Sequence, residues 1–190
     1  MHRIKKLRKV ALENKICYEE FYYKFYKCYN DSIKVSKEER YAEAFYFALS
    51  NLTPCISDDE LIVGKCNKKL SPADECEWLN TYLPITLEES KKAGGGQDSH
   101  MAIDYELVLN CGLKGIIEKI NIYLLNCDES KKKFYNICKK CLEAVINFSE
   151  QYANEAARLA ESSADSNRRE ELKKISEMCR KVPANPDESF

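Results

Sequence analysis

The sequence predicts a mainly α-helical fold of long amphipathic helices, with one very short strand near residues 61–63. Apolar residues recur every three or four positions through most of the 190 residues, which is the spacing of one helix face. Good N-cap residues, Ser36, Asp104 and Asp165, precede three of these runs and indicate where the helices begin. The sequence contains no strand-rich segment and no internal repeat, so helices should dominate the fold.

Composition indicates a globular chain that forms one region over residues 1–190. Hydrophobic residues make up 44% and charged residues 32%, a globular balance. The formal net charge of −1 argues against a dedicated nucleic-acid binder, which would normally be basic. No apolar run approaches the roughly 20 residues of a membrane span, and the N-terminus has no signal-peptide core. The sequence therefore predicts a cytoplasmic protein with neither nucleic acid nor membrane as a partner.

Residues 1–57 are predicted to form two helices. The first runs from residue 2 to about residue 29, beginning with a basic turn. Its aromatic residues at helical spacing form one face: Tyr18, Phe21, Tyr22, Phe25, Tyr26 and Tyr29. Such a face can stack bases, but the mixed charges around it favour core packing. Ser36 begins the second helix, where Glu39 completes a capping box, and Pro54 follows its end.

Residues 58–99 are predicted to contain the short strand, loops and a glycine-rich loop. An acidic turn leads into the strand at 61–63, and a short helical or looped piece begins at Ser71. A weak helical turn over 86–92 precedes three consecutive glycines at 94–96. Because glycine adopts backbone conformations closed to other residues, this loop should be a mobile or tightly turned approach to His100.

Residues 100–190 are predicted to form three helices and a terminal connector. The first helix begins at Asp104, the second runs from about 129 to 162, and the third runs from Asp165 to about 179. The connector, residues 182–186, contains two prolines and should be extended. A helix-start signal after it, at 187–190, leads us to expect that the architecture continues beyond Phe190.

Two glycines, Gly112 and Gly115, lie inside the first of these helices. Glycine within a helix costs about 1 kcal/mol relative to alanine. A glycine at such a position is therefore typical of close approach by another backbone. We expect that approach here.

Ten cysteines are spread evenly through the chain. A secreted disulfide scaffold would be smaller and rich in loops, so free thiols in a reducing cytosol fit better. Cys138 and Cys141 form a C-x-x-C motif within a helix, and the sequence contains no second C-x-x-C motif to complete a four-ligand site. We interpret them as small buried residues and predict no metal site, leaving a thiol-rich metal or redox protein as an alternative.

Three segments resemble the N-terminal region of glycyl radical enzymes of the pyruvate formate-lyase superfamily, especially the glycerol/diol dehydratase and choline trimethylamine-lyase branch. They are DDELIVGK at 58–65, HMAIDYELVLNCGLKGIIEKI at 100–120, and EAVINFSEQYANEAARLAESSADSNRREELKKISEMCRKVPANP at 143–186. The resemblance implies that this chain is the helical N-terminal portion of an α/β barrel enzyme.

The resemblance also implies a radical reaction, of the lyase, dehydratase or formate C-acetyltransferase type. In this family an activating enzyme with an iron–sulfur cluster and S-adenosylmethionine places a radical on a C-terminal glycine. That glycyl radical generates a thiyl radical on a cysteine, which attacks a small polar substrate. The expected partners are therefore that substrate and the radical S-adenosylmethionine enzyme. A homodimer is left open.

The resemblance assigns one site residue, His100, whose family counterpart contacts a substrate hydroxyl. Asp104 and Tyr105 match the same motif, and we interpret them as a helix cap and a packing residue. The family's Gly-Cys-x-Glu and Arg-Val-x-Gly-[Tyr/Phe] motifs do not occur in residues 1–190. We therefore assign no catalytic residue, metal or cofactor to this chain. The interval from Trp78 to His100 is shorter than is usual in the family, and Ser99 replaces a common glycine.

Two functions remain open at this point. The chain is either the N-terminal part of a glycyl radical enzyme or a stand-alone helical module derived from one. In the second case its role would be structural or interactive, without catalysis.

Overall fold

The computed structural model describes residues 2–13, 18–32, 35–65, 68–93 and 104–186. These ranges contain eight α-helices, one π-helical turn and no β-strand, so the mainly helical prediction is confirmed. The elements in order are α1 (His2–Glu13), α2 (Glu19–Asp31), α3 (Lys37–Asn51), α4 (Pro72–Glu77), the π-helical turn (Trp78–Tyr82), α5 (Leu83–Ala93), α6 (Tyr105–Asn126), α7 (Glu129–Ser162) and α8 (Ser166–Lys181). No described helix combines the length and apolarity needed to cross a membrane.

The helix starts predicted from capping residues are confirmed. The Ser36 backbone N–H donates to Glu39 Oε2 at 3.1 Å, and the Glu39 N–H donates back to Ser36 Oγ at 3.4 Å. The Asp165 carboxylate accepts the N–H groups of Asn167 and Arg168 at the start of α8. These bonds satisfy amide donors that a helix N-terminus leaves without intrahelical partners.

The segment predicted as one helix over residues 2–29 contains two helices, α1 and α2. Tyr18, immediately before α2, has a non-helical backbone (φ −105°, ψ 12°). The apolar face of α1 does not continue the buried face of α2, because Ile4 and Leu12 are 72% and 74% exposed. The helical spacing of apolar residues did not reveal this break.

Helices α2, α3, α7 and α8 form the core. Phe25 and Tyr29 of α2 pack against Ala44 and Ala48 of α3, which confirms the core role of that part of the aromatic face. The edge of the face stays open, with Tyr22 44% exposed. A second cluster joins α7 to α8 and consists of Ala156, Ala160, Leu172 and Ile175. Alanines on α3 and α7 allow the helices to approach closely.

The prediction of a strand at 61–63 is wrong. These residues follow a turn and have no strand beside them within the described ranges. A strand is defined by a ladder of hydrogen bonds to a neighbour, so β-branched residues alone do not form one.

The region after Ser71 is more helical than predicted. The Ser71 hydroxyl accepts the Asp74 N–H at 3.2 Å, and Pro72 occupies the first turn of α4. The chain continues through the π-helical turn, where Trp78 is buried, into α5. The turn predicted over 86–92 is thus part of a longer helix.

Candidate functional site

The predicted site residue, His100, lies outside the described residues, as does the glycine-rich loop at 94–96. The structure describes the two elements that flank this segment. Helix α5 ends at Ala93, and Asp104 precedes α6. The role of His100 thus stays a prediction, and the structure describes the helices that precede and follow this segment, α5 and α6.

Asp104 caps α6 as predicted. Its carboxylate accepts the N–H of Leu107 at 2.9 Å, so the helix has a defined start four residues after His100. The predicted packing role of Tyr105 is wrong for the described part of the chain, because its side chain is 66% exposed. Leu109, one turn further, is 40% exposed. The first turns of α6 therefore present an apolar surface to solvent.

Helix α6 bends sharply at Gly112, whose φ of 62° and ψ of 174° are non-helical. A Cβ atom on this residue would lie 2.5 Å from the carbonyl carbon of Asn185 and 2.7 Å from the carbonyl oxygen of Ala184. The predicted close approach of another backbone is therefore confirmed at Gly112. At Gly115 it is not: within the described residues, only the Cβ of Cys111, at 2.9 Å, falls within 4 Å of an added Cβ.

The connector that approaches Gly112 also fills the break in the hydrogen bonding of α6. The N–H of Leu113 donates to the Pro183 carbonyl, and the N–H of Lys114 donates to the Ala184 carbonyl, both at 2.9 Å. A bend frees these amides from their own helix, so they need acceptors elsewhere. Ala184 is only 4% exposed, and the connector carbonyls supply the acceptors.

The connector is not extended as predicted but turned, and it is tied to both α7 and α8. The Asn185 N–H donates to the Lys181 carbonyl at 2.7 Å. From α7, the Ser149 hydroxyl donates to the Val182 carbonyl at 2.9 Å and also to the carbonyl of Cys179. The direction of the first part of α6 is thus set by α7 and α8.

A polar network between α2 and α4 was not predicted from the sequence. The Tyr23 hydroxyl lies 2.9 Å from Asp74 Oδ1 and 2.6 Å from Glu77 Oε2, and it accepts a hydrogen bond from Lys27 at 2.9 Å. Burial, followed by the hydrogen bond to Glu77, raises the pKa of Tyr23 to about 12. Hydrogen bonds from Tyr23 and Lys27 lower the pKa of Glu77. The network holds a neutral tyrosine between charged groups and joins the two helices.

A second ionic cluster connects α1 to α8. Arg3 donates to both carboxylate oxygens of Glu171, at 2.7 and 2.5 Å, and Arg168 donates to the same carboxylate at 3.0 Å. The hydrogen bond from Arg3 is the main reason that the pKa of Glu171 falls to about 2. An open cavity of about 450 Å³ lies beside this cluster, with Asp59 and Lys6 also on its wall. Asp59 lies 3.4 Å from Lys6 and 4.0 Å from Arg3, so these charged groups on the cavity wall form ion pairs with one another.

The eight described cysteines are free thiols: Cys28, Cys55, Cys76, Cys111, Cys127, Cys138, Cys141 and Cys179. Burial raises the pKa of both Cys138 and Cys141, which favours protonated thiols that are poor nucleophiles and metal ligands. Within the described ranges, no group of three or more His, Cys, Asp or Glu side chains is placed to hold a metal ion. Cys17 and Cys66 lie outside those ranges.

A model of the family described as pyruvate formate lyase-like matches residues 86–190, which include His100. Isethionate sulfite-lyase from Nitratidesulfovibrio vulgaris is 34% identical over 94 residues, which cover 46% of this chain and 11% of that protein. Isethionate sulfite-lyase from Bilophila wadsworthia is 30% identical over 94 residues, with the same coverage. The chain thus aligns with about a tenth of the length of these relatives.

Solved structures resemble the whole fold. A protein of 1,2-propanediol dehydration in Roseburia inulinivorans has a TM-score of 0.82 at 23% identity, covering 100% of this chain and 31% of that one. The B12-independent glycerol dehydratase of Clostridium butyricum has a TM-score of 0.81 at 23% identity, and the match covers 100% of this chain and 32% of that one. A glycyl radical enzyme from Archaeoglobus fulgidus has a TM-score of 0.80 at 25% identity, and the match covers 98% of this chain and 32% of that one. The chain has the fold of about one third of each of these proteins.

Proposed function

The chain belongs to the pyruvate formate lyase-like family, and from this premise we propose that it acts as the N-terminal segment of a glycyl radical lyase, dehydratase or formate C-acetyltransferase. Such an enzyme cleaves a C–O, C–N or C–C bond of a small polar substrate by radical chemistry. The observation that carries the proposal is the family match over 86–190, which coincides with whole-chain similarity to the Archaeoglobus fulgidus glycyl radical enzyme.

The residues of this chain do not fit the radical groups themselves. Residues 1–190 contain neither a Gly-Cys-x-Glu motif nor an Arg-Val-x-Gly-[Tyr/Phe] motif. Gly112 is held in a helix bend against the connector, and burial raises the pKa of four cysteines, Cys28, Cys138, Cys141 and Cys179. The proposal therefore places the reactive cysteine and glycine in a catalytic portion outside residues 1–190. An S-adenosylmethionine and iron–sulfur activating enzyme would install the radical there.

We assign His100 the task of binding a hydroxyl group of the substrate. An imidazole can donate or accept one hydrogen bond, which suits a polar substrate. The compounds named for the relatives, isethionate, 1,2-propanediol and glycerol, all carry a hydroxyl group, and this supports a small hydroxylated substrate. The Asp104 cap and the Gly112 bend support a fixed approach to His100, because they define the direction of the helix that follows it.

We propose that residues 1–190 form one region of a cytoplasmic enzyme. The contacts that join distant parts of the chain support a single region, since Arg3 of α1 binds Glu171 of α8. A non-catalytic helical module is the second candidate.

Intact mass spectrometry of the native product, purified anaerobically from its source cells, tests the first proposal against the second. We expect a polypeptide several-fold heavier than 22.0 kDa that contains both radical motifs. After activation it should show an organic radical by electron paramagnetic resonance. A 22.0 kDa product without a partner that contains these motifs would support the helical module instead.

The role of His100 is tested by substitution in the product that carries the radical. His100→Asn should raise KM for a hydroxylated substrate such as glycerol or isethionate. His2→Asn, which changes the other histidine, is the matched control and should leave KM unchanged. Equal KM values for both variants would contradict the assignment.

A further inference from the structure

Four oxidisable aromatic side chains meet between α2 and the π-helical turn. Tyr23, Trp78 and Tyr82 form a buried cluster, and the half-buried Tyr26 packs against it. The ring centroids of Tyr23 and Tyr82 are 5.9 Å apart, and those of Tyr26 and Trp78 are 6.4 Å apart. Apolar packing accounts for the burial of these rings. It does not account for the charged groups that surround the hydroxyl of Tyr23.

The Tyr23 hydroxyl lies among two carboxylates and one ammonium group. It donates to Glu77 Oε2 at 2.6 Å, and Asp74 Oδ1 lies 2.9 Å from the same oxygen. Lys27 donates to that oxygen at 2.9 Å and to Glu77 Oε2 at 3.0 Å. A phenol has a single proton, so the short, charge-assisted bond to Glu77 gives that proton a defined acceptor. The two carboxylates outnumber the ammonium group, so the surroundings of the hydroxyl are anionic.

The phenol of Tyr23 keeps its proton at neutral pH, because burial and then the hydrogen bond to Glu77 raise the pKa of Tyr23 to about 12. Loss of an electron reverses this preference, since an oxidised phenol is a strong acid. Glu77 is then the nearest base, and it is ionised at neutral pH because hydrogen bonds from Tyr23 and Lys27 lower its pKa. The geometry therefore lets an electron and a proton leave Tyr23 together.

Tyr23 is better placed for this loss than its neighbour Tyr82. The Tyr82 hydroxyl lies 3.3 Å from Glu77 Oε1, which is longer than an ordinary O–H···O hydrogen bond. The anionic surroundings also favour removal of an electron from Tyr23. Because Tyr23 is only 5% exposed, a radical on its ring is shielded from solvent and from other radicals.

We propose that Tyr23 is a redox-active residue that traps thiyl radicals as a neutral phenoxyl radical, with Glu77 as its proton acceptor. The thiyl radical gains one electron and becomes a thiolate, while Tyr23 loses that electron and its O–H bond breaks. The proton passes to Glu77 and then through solvent to the thiolate. One O–H bond is broken and one S–H bond is formed, so atoms and electrons balance.

This inference goes beyond the proposed function, because it needs only this chain and a thiyl radical from any thiol. A purely structural role for the network is the alternative. A tie between α2 and α4 uses the same hydrogen bonds but does not require that Tyr23 lose an electron. The two roles therefore differ in whether a long-lived radical forms on Tyr23.

Pulse radiolysis of the 190-residue chain with glutathione under anaerobic conditions tests the proposal. The pulse generates glutathione thiyl radicals, and optical absorption and freeze-quench electron paramagnetic resonance follow the phenoxyl radical. Tyr23→Phe should lose the long-lived phenoxyl signal of the wild type. Tyr123→Phe is the matched control, since Tyr123 is 57% exposed, and it should keep that signal. An equal signal in Tyr23→Phe, or no long-lived signal in the wild type, would overturn the proposal.

Glu77→Gln separates the redox role from the structural tie. Glutamine keeps a side-chain oxygen that accepts the Tyr23 hydrogen bond, but a neutral amide is a far weaker base than a carboxylate. The variant should keep its helical circular dichroism and form the phenoxyl radical more slowly. Wild-type radical formation should also slow in D2O, because an O–H bond breaks.

Glu75→Gln is the matched control for this substitution, since Glu75 is an exposed residue of the same helix, α4. It should form the phenoxyl radical at the wild-type rate. If Glu77→Gln and Glu75→Gln form the radical equally fast, then Glu77 is not the proton acceptor and the proposal fails.

Discussion

Replacement of Gly112 by alanine tests how the connector holds the bend of α6 in place. Gly112 has a φ of 62° and a ψ of 174°, a backbone conformation that is essentially restricted to glycine. An added Cβ would also lie 2.5 Å from the carbonyl carbon of Asn185, far inside van der Waals contact. Gly112→Ala therefore imposes a backbone strain and displaces the connector.

The structure gives a magnitude for each effect. A non-glycine residue in a sparsely populated backbone region costs about 1–3 kcal/mol. Moving the connector breaks the hydrogen bonds from Leu113 to Pro183 and from Lys114 to Ala184, which contribute about 0.5–1.5 kcal/mol each. Together these effects should lower the free energy of unfolding by about 4 kcal/mol.

Urea unfolding followed by circular dichroism measures this loss, with two other glycines as controls. Gly64 has a φ of 122° but nothing within 4 Å of an added Cβ, so Gly64→Ala reports the backbone strain alone. Gly115 has no positive φ, and Gly115→Ala gains about 1 kcal/mol of helix propensity. The gain is offset by the contact with Cys111 at 2.9 Å, so its net effect should be small.

Two outcomes would contradict the reasoning. If Gly112→Ala and Gly64→Ala lower the free energy of unfolding by the same amount, then displacement of the connector does not destabilise the fold, and its hydrogen bonds to Leu113 and Lys114 contribute nothing to stability. If Gly112→Ala is no worse than Gly115→Ala, then the bend itself is not a constraint. Hydrogen exchange at Leu113 and Lys114 separates these cases, because protection at both amides depends on the connector carbonyls.

Two further predictions concern the polar networks. Tyr23→Phe should lower the free energy of unfolding by about 1–2 kcal/mol, because it removes hydrogen bonds to charged groups, while Tyr22→Phe at an exposed position should have little effect. Absorbance titration should show Tyr23 ionising near pH 12, and its contribution to stability, complete below pH 10, should be lost as the pH rises from 10 to about 12. Glu171 has a pKa lowered from 4.5 to about 2, so its contribution is present above pH 4.5 and is lost as the pH falls toward 2. Glu171→Gln should flatten the pH dependence of the urea unfolding midpoint between pH 4.5 and 2, whereas Glu161→Gln, at an exposed position, should leave that dependence unchanged. If the midpoints of both variants change with pH in the same way, the ion pair of Glu171 with Arg3 is refuted.

The sequence predicted the helices well where the signals are local. The pairing of Ser36 with Glu39 and the carboxylates of Asp104 and Asp165 act within one helical turn, so each start could be identified without knowledge of the fold. The prediction of a strand at 61–63 was wrong because a strand depends on contacts that are not local. β-branched residues indicate a preference for extended backbone, but a strand also needs a partner that no local pattern can supply.

The functional features divide in the same way. The cost of a helical glycine indicated a close approach at Gly112, yet only the structure identifies residues 183–185 as the segment that approaches. The bonds of Tyr23 to Asp74 and Glu77 join residues about fifty positions apart, and no spacing rule connects them. His100 came from resemblance to a family, because a single histidine has no partner in the sequence that would define its chemistry.

One short stretch of α7 contacts both the connector that holds the bend of α6 and the backbone at Lys65. Ser149 donates to the Val182 carbonyl of the connector, which in turn holds the bend of α6. Tyr152, three residues further along α7, donates to the Lys65 carbonyl. Residues three apart lie on the same side of a helix, so one rigid surface positions both features.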